Sequence, residues 1–404
     1  MSFAAGSNNL KPANQYRSDG STAQQSTERI LLVGVQSDQD FSANAERRKH
    51  LFQSAMAEAE ELVRATGGNL VETVQCKRQH IHSALYVGSG KAEELAQKVS
   101  LHHIDLVVFN HALTPTQERN LEQVLKCRVL DRVGLILAIF ARRAQSQEGR
   151  LQVELAQLVH LSSRLVRGYA HLQSQKGGIG LKGPGETQLE TDRRLIKTKI
   201  TRLRQQLQQV RKQRATQRKS RRQGALKTFA LVGYTNVGKS SLFNRLTKAQ
   251  VLAKDQLFAT LDNTVRRLYL NNHTSILLSD TVGFIGDLPH SLVAAFAATL
   301  EETAQADILV QVVDITHPEY EQQMEDVNSV LTEIHANDIP QLIVYNKIDN
   351  LPVFNRPHGV VRAADGRPQA VYISVQDGSG MEDLRTVLAE LAVNLELNNQ
   401  FTKQ

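Results

Sequence analysis

Hydrophobic positions in the first third of the chain fall into short apolar runs separated by longer segments with helical spacing. Strands separated by helices of this length are typical of a parallel α/β sheet. We therefore expect a small α/β domain over residues 29–131. The predicted strands are 30–35, 69–75, 105–109 and 128–130, and the predicted helices are 43–66, a segment from Ala92, and 114–126.

The middle of the chain is helical throughout. Residues 134–143 predict an apolar helix, and a longer helix begins near Glu148. Two series of positions with alternating spacings of four and three then flank a glycine-rich connection. This pattern predicts an antiparallel helical hairpin within residues 132–223, with two separately packed helices as the alternative. The two seams are Leu151, Leu155, Leu158, Ser162 and Leu165, and Ile196, Ile200, Leu203, Leu207 and Val210.

The last part of the chain returns to alternating strands and helices, so we expect a second α/β domain over residues 224–396. Residues 397–404 predict a frayed tail, and the polar residues 1–28 predict a disordered leader. The predicted strands are 229–232, 276–278, 307–313, 342–345 and 370–373, and the predicted helices are 320–335 and 381–393.

A glycine-rich turn follows the strand at 229–232 and leads into a helix. It matches the phosphate-binding pattern GxxxxGK[ST], in which backbone N–H groups and a helix N-terminus hold negative charge. We expect Lys239 to reach the outer phosphates and the Ser240 hydroxyl to bind Mg²⁺. The turn comprises Gly233, Tyr234, Thr235, Asn236, Val237, Gly238, Lys239 and Ser240, and Ser241 follows it.

Two further motifs occur at the ends of later strands. A DxxG motif follows strand 276–278, and an NKxD motif follows strand 342–345. Both lie where parallel sheets bind their ligands. This order of three motifs is very specific and argues against isolated surface turns. The residues are Asp280, Thr281, Val282 and Gly283, and Asn346, Lys347 and Asp349.

The formal charge of +7 is unevenly distributed. Residues 193–222 contain thirteen Lys and Arg and no Asp or Glu, so the rest of the chain carries −6. Such a basic segment usually binds a polyanion.

Cysteine and apolar content restrict the compartment. Cys76 and Cys127 are far apart and predict neither a disulfide framework nor a metal site, which fits a reducing cytoplasm. The longest apolar runs are far shorter than the roughly 20 residues that span a bilayer. We expect no transmembrane segment and at most peripheral membrane association.

The connection at residues 176–186 contains five glycines and a proline, which argues against regular structure. Its backbone could closely approach a phosphate chain, although a flexible turn is the alternative. Thr187 and Glu190 then match a capping box that would start the next helix. The candidate RNA contacts are Lys176, Gly177, Gly178, Gly180, Lys182, Gly183 and Gly185, with Arg193, Arg194 and Lys197 in the helix that follows.

A second glycine-rich turn, at residues 88–91, lacks the spacing of a phosphate loop. Leu85 stands where the first glycine should be, and Ala92 stands where Ser or Thr should bind Mg²⁺. We interpret it as a structural turn at a helix start.

Together these motifs resemble the HflX family of ribosome-associated GTPases over residues 29–395. The resemblance rests on the motifs GGIG at 177–180, GPGE at 183–186, QLETDRR at 188–194, the phosphate loop and DTVGFI at 280–285. It implies a Ras-like P-loop GTPase domain, an amino-terminal α/β HflX domain and an antiparallel helical hairpin. It also implies GTP and GDP as ligands, hydrolysis with Mg²⁺, and a monomer that binds rRNA of the large subunit to dissociate or rescue ribosomes.

Individual roles also follow from this resemblance. Asp349 would recognise guanine, Thr260 would be the second Mg²⁺ ligand, and Asp280 would bind the ion through water. The Gly283 N–H would sense the terminal phosphate. The nucleotide site would further include Phe258, Ala259, Leu261 and Asp262 of the first switch, and Ser374, Val375 and Gln376 of the guanine-supporting loop.

The chain departs from the family pattern in both of these segments. Asn263 replaces a proline in the first switch, and Val375 and Gln376 alter the guanine-supporting loop. Phe284 stands where many relatives of Ras have a water-positioning Gln, which predicts slow intrinsic hydrolysis that a partner accelerates. Asn236 occupies the position where some related GTPases hold K⁺.

Two functions of other classes remain open at this point. The chain could be an RNA-binding scaffold or ribosome assembly factor that holds GTP or GDP without useful hydrolysis, or an ATP-driven RNA remodeller acting through its amino-terminal domain. The complete set of phosphate and Mg²⁺ residues favours the GTPase over the first, and the lack of a second phosphate loop disfavours the second.

Overall fold

The computed structural model describes residues 27–37, 45–168, 184–222, 226–248, 257–258, 260–286, 300 and 302–401. Two sheets and a helical hairpin organise this part of the chain. The predicted leader, except for Thr27 and Glu28, and most of the glycine-rich connection lie outside these residues.

The amino-terminal domain is a four-stranded parallel sheet in the order β2-β1-β3-β4. Alternate residues of β1 face opposite sides, so Leu31 and Val33 pack on one helical layer while Ile30 and Leu32 pack on the other. Helices α2 and α3 cover one side, and α1 and α4 cover the other. The elements are β1 (Arg29–Ser37), α1 (Ala45–Ala65), β2 (Asn69–Arg78), α2 (Ser89–Leu101), β3 (Leu106–Phe109), α3 (Pro115–Leu125), β4 (Arg128–Leu130) and α4 (Arg132–Arg143).

Two long helices, α5 (Gln147–Gly168) and α6 (Pro184–Arg222), pack against each other and form the predicted hairpin. Leu203 and Leu207 of the second seam are buried, while the described first-seam residues are only half-buried. The buried side of α5 is formed by Gln152, Val153 and Ala156. Since α5 also packs on α3 and α4, it joins the hairpin to the amino-terminal domain.

The start of α6 corrects the prediction for the connection. Residues 184–186 were expected to be irregular and Thr187 to cap the helix, but α6 begins at Pro184. Proline fits the first helical position because its missing N–H needs no partner there and its φ is already helical. Gly185 therefore lies in a helix and not in a loop.

The carboxyl-terminal domain is a seven-stranded sheet in the order β10-β11-β9-β8-β5-β7-β6. The five central strands are parallel, and the edge strands β6 and β10 are antiparallel. The elements are β5 (Thr228–Val232), α7 (Lys239–Thr247), β6 (Thr264–Tyr269), β7 (Ser275–Asp280), β8 (Ile308–Asp314), α8 (Tyr320–Glu333), β9 (Gln341–Asn346), β10 (Val360–Arg362), β11 (Pro368–Tyr372) and α9 (Met381–Phe401).

Helix α9 was expected to end at Val393 and be followed by a frayed tail. It continues to Phe401, because residues 394–401 contain no glycine or proline that would end it.

The sheets share one buried apolar cluster, in which Phe140 of α4 lies with Phe258 and Leu261 of the carboxyl-terminal domain. The domains therefore meet at the segment that was predicted to be the first switch.

Candidate functional site

The turn between β5 and α7 has the backbone of a phosphate-binding loop. Gly233, Asn236 and Gly238 have φ values of 144°, 61° and 95°. A Cβ atom at Gly233 would lie 2.3 Å from the carbonyl oxygen of Val312, and one at Gly238 would lie 2.5 Å from Nδ2 of Asn346. The chain can only pass so close to its neighbours here because these two residues are glycines.

Lys239 lies in the centre of the site. Its ammonium group donates hydrogen bonds to the carbonyl oxygens of Gly233 at 2.9 Å and Tyr234 at 2.6 Å. Burial lowers the pKa of the Lys239 amine to about 8, although the negative charge of Asp280 opposes this shift. A cation held at such an energetic cost favours a polyanionic ligand.

Three oxygen atoms converge beside Lys239. The Ser240 and Thr260 hydroxyls lie 2.7 Å apart, and they donate to Oδ2 of Asp280 at 2.7 and 2.8 Å. Oδ1 of Asp280 is buried and has no hydrogen-bond partner among the described residues. Burial raises the pKa of the Asp280 carboxyl, while both hydroxyls and Lys239 lower it. Such a set of hard oxygen donors with one unsatisfied carboxylate oxygen fits Mg²⁺.

The other end of the site is organised by Asn346. Its amide donates to the carbonyl oxygen of Val237 at 2.8 Å and accepts from the Val375 N–H at 3.1 Å, so it joins the phosphate loop to the predicted guanine-supporting loop. Oδ1 of Asp349 is buried without a partner among the described residues, as a base-recognising carboxylate would be. The Lys347 ammonium is held 2.8 Å from Asp314.

Two arginines support the loops at this end. Arg245 of α7 donates to the carbonyl oxygens of Val375 and Gln376, and Arg356 donates to those of Asp349 and Leu351. The sequence motifs gave no signal for either residue.

A cavity of about 320 Å³ runs from the phosphate loop to Asp349. Most of the predicted nucleotide-binding residues line it, and Asn350 is an addition that the motifs missed. The lining residues are Thr235, Asn236, Gly238, Lys239, Ser240, Ser241, Phe258, Thr260, Thr281, Gly283, Asn346, Lys347, Asp349, Asn350, Val375 and Gln376.

The remaining predicted site residues have other positions. Ala259 lies outside the described residues. The carbonyl oxygens of Gly233 and Tyr234 accept hydrogen bonds from Lys239, and that of Val237 accepts from Asn346. Asp280 accepts a hydrogen bond from Ser240. Leu261, Val282 and Ser374 are not among the residues that line the cavity, and their contacts with a nucleotide stay predictions. All three are buried, and Leu261 belongs to the shared apolar cluster.

The Asp262 carboxylate binds residues 145–146 and does not line the cavity, so its predicted contact with a nucleotide stays a prediction. One oxygen accepts hydrogen bonds from the Gln145 N–H at 2.8 Å and the Ser146 N–H at 2.7 Å, and the other accepts from the Ser146 hydroxyl. These donors lie just before α5, where a helix start stabilises a negative charge, whereas the phosphates of a nucleotide would repel the carboxylate.

The side chain of Tyr234 also points away from the phosphates, towards the amino-terminal domain. Its hydroxyl donates to Glu58 of α1 and accepts from the Gly286 N–H at 2.6 Å. Arg132 of α4 donates to Glu58 and, at 3.1 Å, to the Gly286 carbonyl oxygen. Gly286 follows the DxxG motif closely, so this network joins that segment to helices α1 and α4.

The residue after the DxxG glycine packs inwards. The Phe284 side chain is buried, and its backbone pairs with the phosphate loop through Thr235 N–H at 2.7 Å and Gly233 O at 3.1 Å. The ring therefore supplies no group that could orient a water molecule.

The predicted RNA contacts are divided between described and undescribed parts of the chain. Arg193, Arg194 and Lys197 are exposed on α6, and Gly185 lies in its first turn. Lys176, Gly177, Gly178, Gly180, Lys182 and Gly183 lie outside the described residues.

The turn at residues 88–91 forms the start of α2, as predicted. Gly88 has φ 86°, and a Cβ atom there would collide with the Arg78 guanidinium. Lys91 pairs with Glu94 at 2.8 Å on the same helix.

Among the described residues, no helix combines the length and the apolar character required to cross a membrane.

Family models match most of the chain. The model described as "GTP-binding GTPase N-terminal" matches residues 53–141, "GTP-binding GTPase Middle Region" matches 143–221, and "50S ribosome-binding GTPase" matches 228–347. The last of these contains the phosphate loop, the DxxG motif and Asn346.

Curated relatives and solved structures agree with these matches. GTPase HflX of Escherichia coli strain K12 is 51% identical over 335 residues, which cover 83% of this chain and 78% of that protein. GTPase HflX of Magnetococcus marinus is 53% identical over 306 residues, which cover 76% of this chain and 70% of that protein. The crystal structure of the SsGBP and GDP complex shares the fold, with a TM-score of 0.52 and 23% identity over 91% of this chain and 99% of that chain.

Proposed function

The chain belongs to the HflX family of GTPases and is a GTP-hydrolysing enzyme, and we propose that it couples this hydrolysis to binding and dissociating or rescuing ribosomes. The proposed partner is the rRNA of the large subunit, and the protein would act as a monomer in the cytoplasm. The observation that carries the proposal is that one nucleotide site and one exposed basic helix, α6, lie in the same chain on connected elements.

The nucleotide site supports GTP as the ligand. The Asp349 oxygen without a partner would accept hydrogen bonds from guanine, whereas adenine would leave it unsatisfied. At the other end, Lys239 would neutralise the outer phosphates.

Two cations would complete the site. We assign Ser240 and Thr260 as direct ligands of Mg²⁺ and Asp280 as a ligand through water, consistent with the convergence of their oxygens. When bound, Mg²⁺ supplies positive charge to the phosphates. Asn236 lines the cavity close to the phosphate loop glycines and would contribute an oxygen ligand to K⁺. This ion would supply the positive charge that a catalytic arginine supplies in other GTPases.

Catalysis by the isolated protein would be slow. Hydrolysis requires a positioned water, and the buried Phe284 ring cannot hold one. We therefore propose that the ribosome supplies the contact that positions this water molecule. The Gly283 N–H would respond to the terminal phosphate, and the segment after it would change position when that phosphate leaves.

The RNA contact is assigned to the exposed basic face of α6. Arg193, Arg194 and Lys197 present three positive charges without an acidic residue among residues 193–222. Phosphate contacts of this kind supply affinity without sequence readout.

The proposal is tested by sedimenting ribosomes with the purified protein in GTP, GDP or a non-hydrolysable GTP analogue, together with GTP turnover in the presence and absence of ribosomes. We expect co-sedimentation with large subunits in the analogue, release in GDP, and faster turnover with ribosomes. Equal binding in all three nucleotides, with turnover unaffected by ribosomes, would contradict a nucleotide-dependent ribosomal role.

A further inference from the structure

The first switch contacts the amino-terminal domain and the start of the helical hairpin through Asp262, Phe258 and Leu261. The Asp262 carboxylate accepts from the Gln145 and Ser146 N–H groups at 2.8 and 2.7 Å and from the Ser146 hydroxyl. The Phe258 ring meets Phe140 of α4 edge to face, with a centroid distance of 4.7 Å. Leu261 is buried in the apolar cluster between the domains.

Helix α5 has a sequence that accommodates this carboxylate. At Gly149, in the first turn of α5, a Cβ atom would lie 2.3 Å from Oδ1 of Asp262. Glycine is otherwise unfavourable inside a helix. Its presence here leaves the space that the carboxylate of the switch occupies.

These contacts surround the candidate Mg²⁺ ligand. Thr260 lies between Phe258 and Asp262, and its hydroxyl is 2.8 Å from Asp280 and 2.7 Å from Ser240. The chain on either side of Thr260 is thus fixed to α4 and α5 in the arrangement that brings the Mg²⁺ ligands together.

We propose that Asp262 is a positioning residue that couples the first switch to the hairpin: by binding the Gln145 and Ser146 N–H groups just before α5, it holds Thr260 at the Mg²⁺ site and makes the position of the hairpin depend on the nucleotide. This inference rests on the GTP-binding site assigned above, but it does not require a ribosome. Because coupling is reciprocal, a nucleotide that orders Thr260 through Mg²⁺ must also strengthen the contact of Asp262 with Gln145 and Ser146. GTP would therefore order the base of α5, and GDP, without a terminal phosphate, would order it less.

The coupling can be broken from either side of the contact. Asp262→Ala removes the carboxylate, whereas Gly149→Ala keeps it and fills its space with a methyl group. For both variants we expect the single-turnover rate of GTP hydrolysis at saturating GTP and Mg²⁺ to fall about tenfold, corresponding to the loss of the charge-assisted hydrogen bonds to Gln145 and Ser146. The double variant should be no slower than either single variant, since both changes disrupt one contact.

Two further variants separate positioning from a merely structural role. Asn keeps an acceptor oxygen for the Gln145 and Ser146 N–H groups, and its amide can donate to the Ser146 hydroxyl, so Asp262→Asn should retain most of the rate. Thr114→Ala removes the cap of α3, where Thr114 and Gln117 form reciprocal hydrogen bonds, and should leave the GTP rate unchanged. Since alanine favours helix more than glycine, Gly149→Ala would not slow hydrolysis if α5 only needed helical stability.

Amide hydrogen exchange in isolated protein completes the test. We expect the Gln145 and Ser146 amides to exchange more slowly with a non-hydrolysable GTP analogue than with GDP, and this difference to disappear in Asp262→Ala. Wild-type rates in both disrupting variants, or equal exchange in the two nucleotides, would overturn the inference while leaving the GTPase assignment intact. A wild-type protein that fails to bind or hydrolyse GTP would instead overturn the proposed function.

Discussion

The Tyr234 hydroxyl of the phosphate loop donates a hydrogen bond to Glu58 of α1, and so ties the nucleotide site to the amino-terminal domain. The same oxygen accepts from the Gly286 N–H at 2.6 Å. Burial and the neighbouring Glu58 charge raise the pKa of the Tyr234 phenol, which keeps it protonated as a donor. One side chain therefore links the phosphate loop, the segment after the DxxG motif and α1.

Tyr234→Phe should destabilise the protein by about 1–2 kcal/mol, because Glu58 and the Gly286 N–H lose a partner in a poorly solvated position. Urea unfolding of the nucleotide-free protein measures this difference. Tyr269→Phe is the matched control, since Tyr269 is 63% exposed, and it should change stability by less than about 0.5 kcal/mol. Equal stability of both variants would show that the hydroxyl contributes nothing to the association of the domains.

Contacts of this type mark the limit of prediction from the sequence. Tyr234 was placed in the phosphate loop by its motif, but its partner lies 176 residues earlier. Likewise, Asp262 meets Ser146 across 116 residues. Neither contact has a periodic pattern or spacing that would reveal it, because each depends on how two domains pack.

The elements themselves were predicted well where burial produces a periodic pattern. Apolar runs occur at 229–232 in β5, 308–310 in β8 and 342–345 in β9, and Leu203 and Leu207 lie on the predicted seam of α6. Strands β6 and β10 were missed because both are edge strands with several exposed residues, so their sequences lack an apolar run. The nucleotide site was predictable because its chemistry requires fixed residue types at short spacings.

GTP affinity should decrease as pH rises above about 8. Burial lowers the pKa of Lys239 to about 8, below its ordinary 10.5. Between these two pH values the nucleotide-free protein loses the positive charge of Lys239, whereas bound phosphates keep its amine protonated. Affinity should therefore be constant below pH 8 and fall up to about tenfold per pH unit above it. For the free protein the sign is opposite: the unfolded chain binds this proton more tightly, so the contribution of Lys239 to stability increases with pH over the same interval.

Titration calorimetry of GTP binding at about pH 7.5, 8.5 and 9.5 measures this dependence on both sides of the Lys239 pKa. Lys239→Arg is the control, since a guanidinium remains charged and should bind more weakly but without the slope. An affinity for the wild type that does not change between these pH values would contradict the role of the buried ammonium.

Asp349→Asn should abolish the preference for guanine. The unsatisfied Oδ1 atom of Asp349 is an acceptor, and an amide at this position would offer a donor to the base instead. We expect GTP affinity to fall by about 100-fold or more, and a nucleotide whose base has a carbonyl in place of the guanine amine to bind better than GTP. Asn337→Asp, at an exposed position after α8, is the control and should leave both affinities unchanged. Undiminished GTP selectivity in a competition titration would show that Asp349 does not contact the base.

GTP turnover should be faster in K⁺ than in Na⁺ at equal ionic strength if Asn236 holds a monovalent ion at the phosphates. Asn236→Gly should remove the difference, and glycine is the suitable replacement because the residue has φ 61°. Turnover is measured with ribosomes present, so that a slow intrinsic rate does not hide the effect. Equal rates of the wild type in the two salts would exclude this ion from the mechanism.

Replacing Arg193, Arg194 and Lys197 of α6 with Gln should weaken binding to large subunits without affecting GDP affinity. These side chains are exposed on the helix, far in sequence from the phosphate loop, so their loss should leave the nucleotide site unchanged. If each contacts a phosphate, the affinity at ordinary salt should fall about tenfold or more, and the slope of log affinity against log salt should become shallower by about two to three.

A matched variant removes the same charge elsewhere. Arg47, Lys49 and Lys77 are exposed in the amino-terminal domain, and their replacement with Gln also lowers the net charge by three. A general attraction between a basic protein and RNA would weaken binding equally in both variants, whereas a specific contact by α6 would weaken only the first. Equal salt slopes in the two variants would therefore rule out α6 as the RNA-binding face.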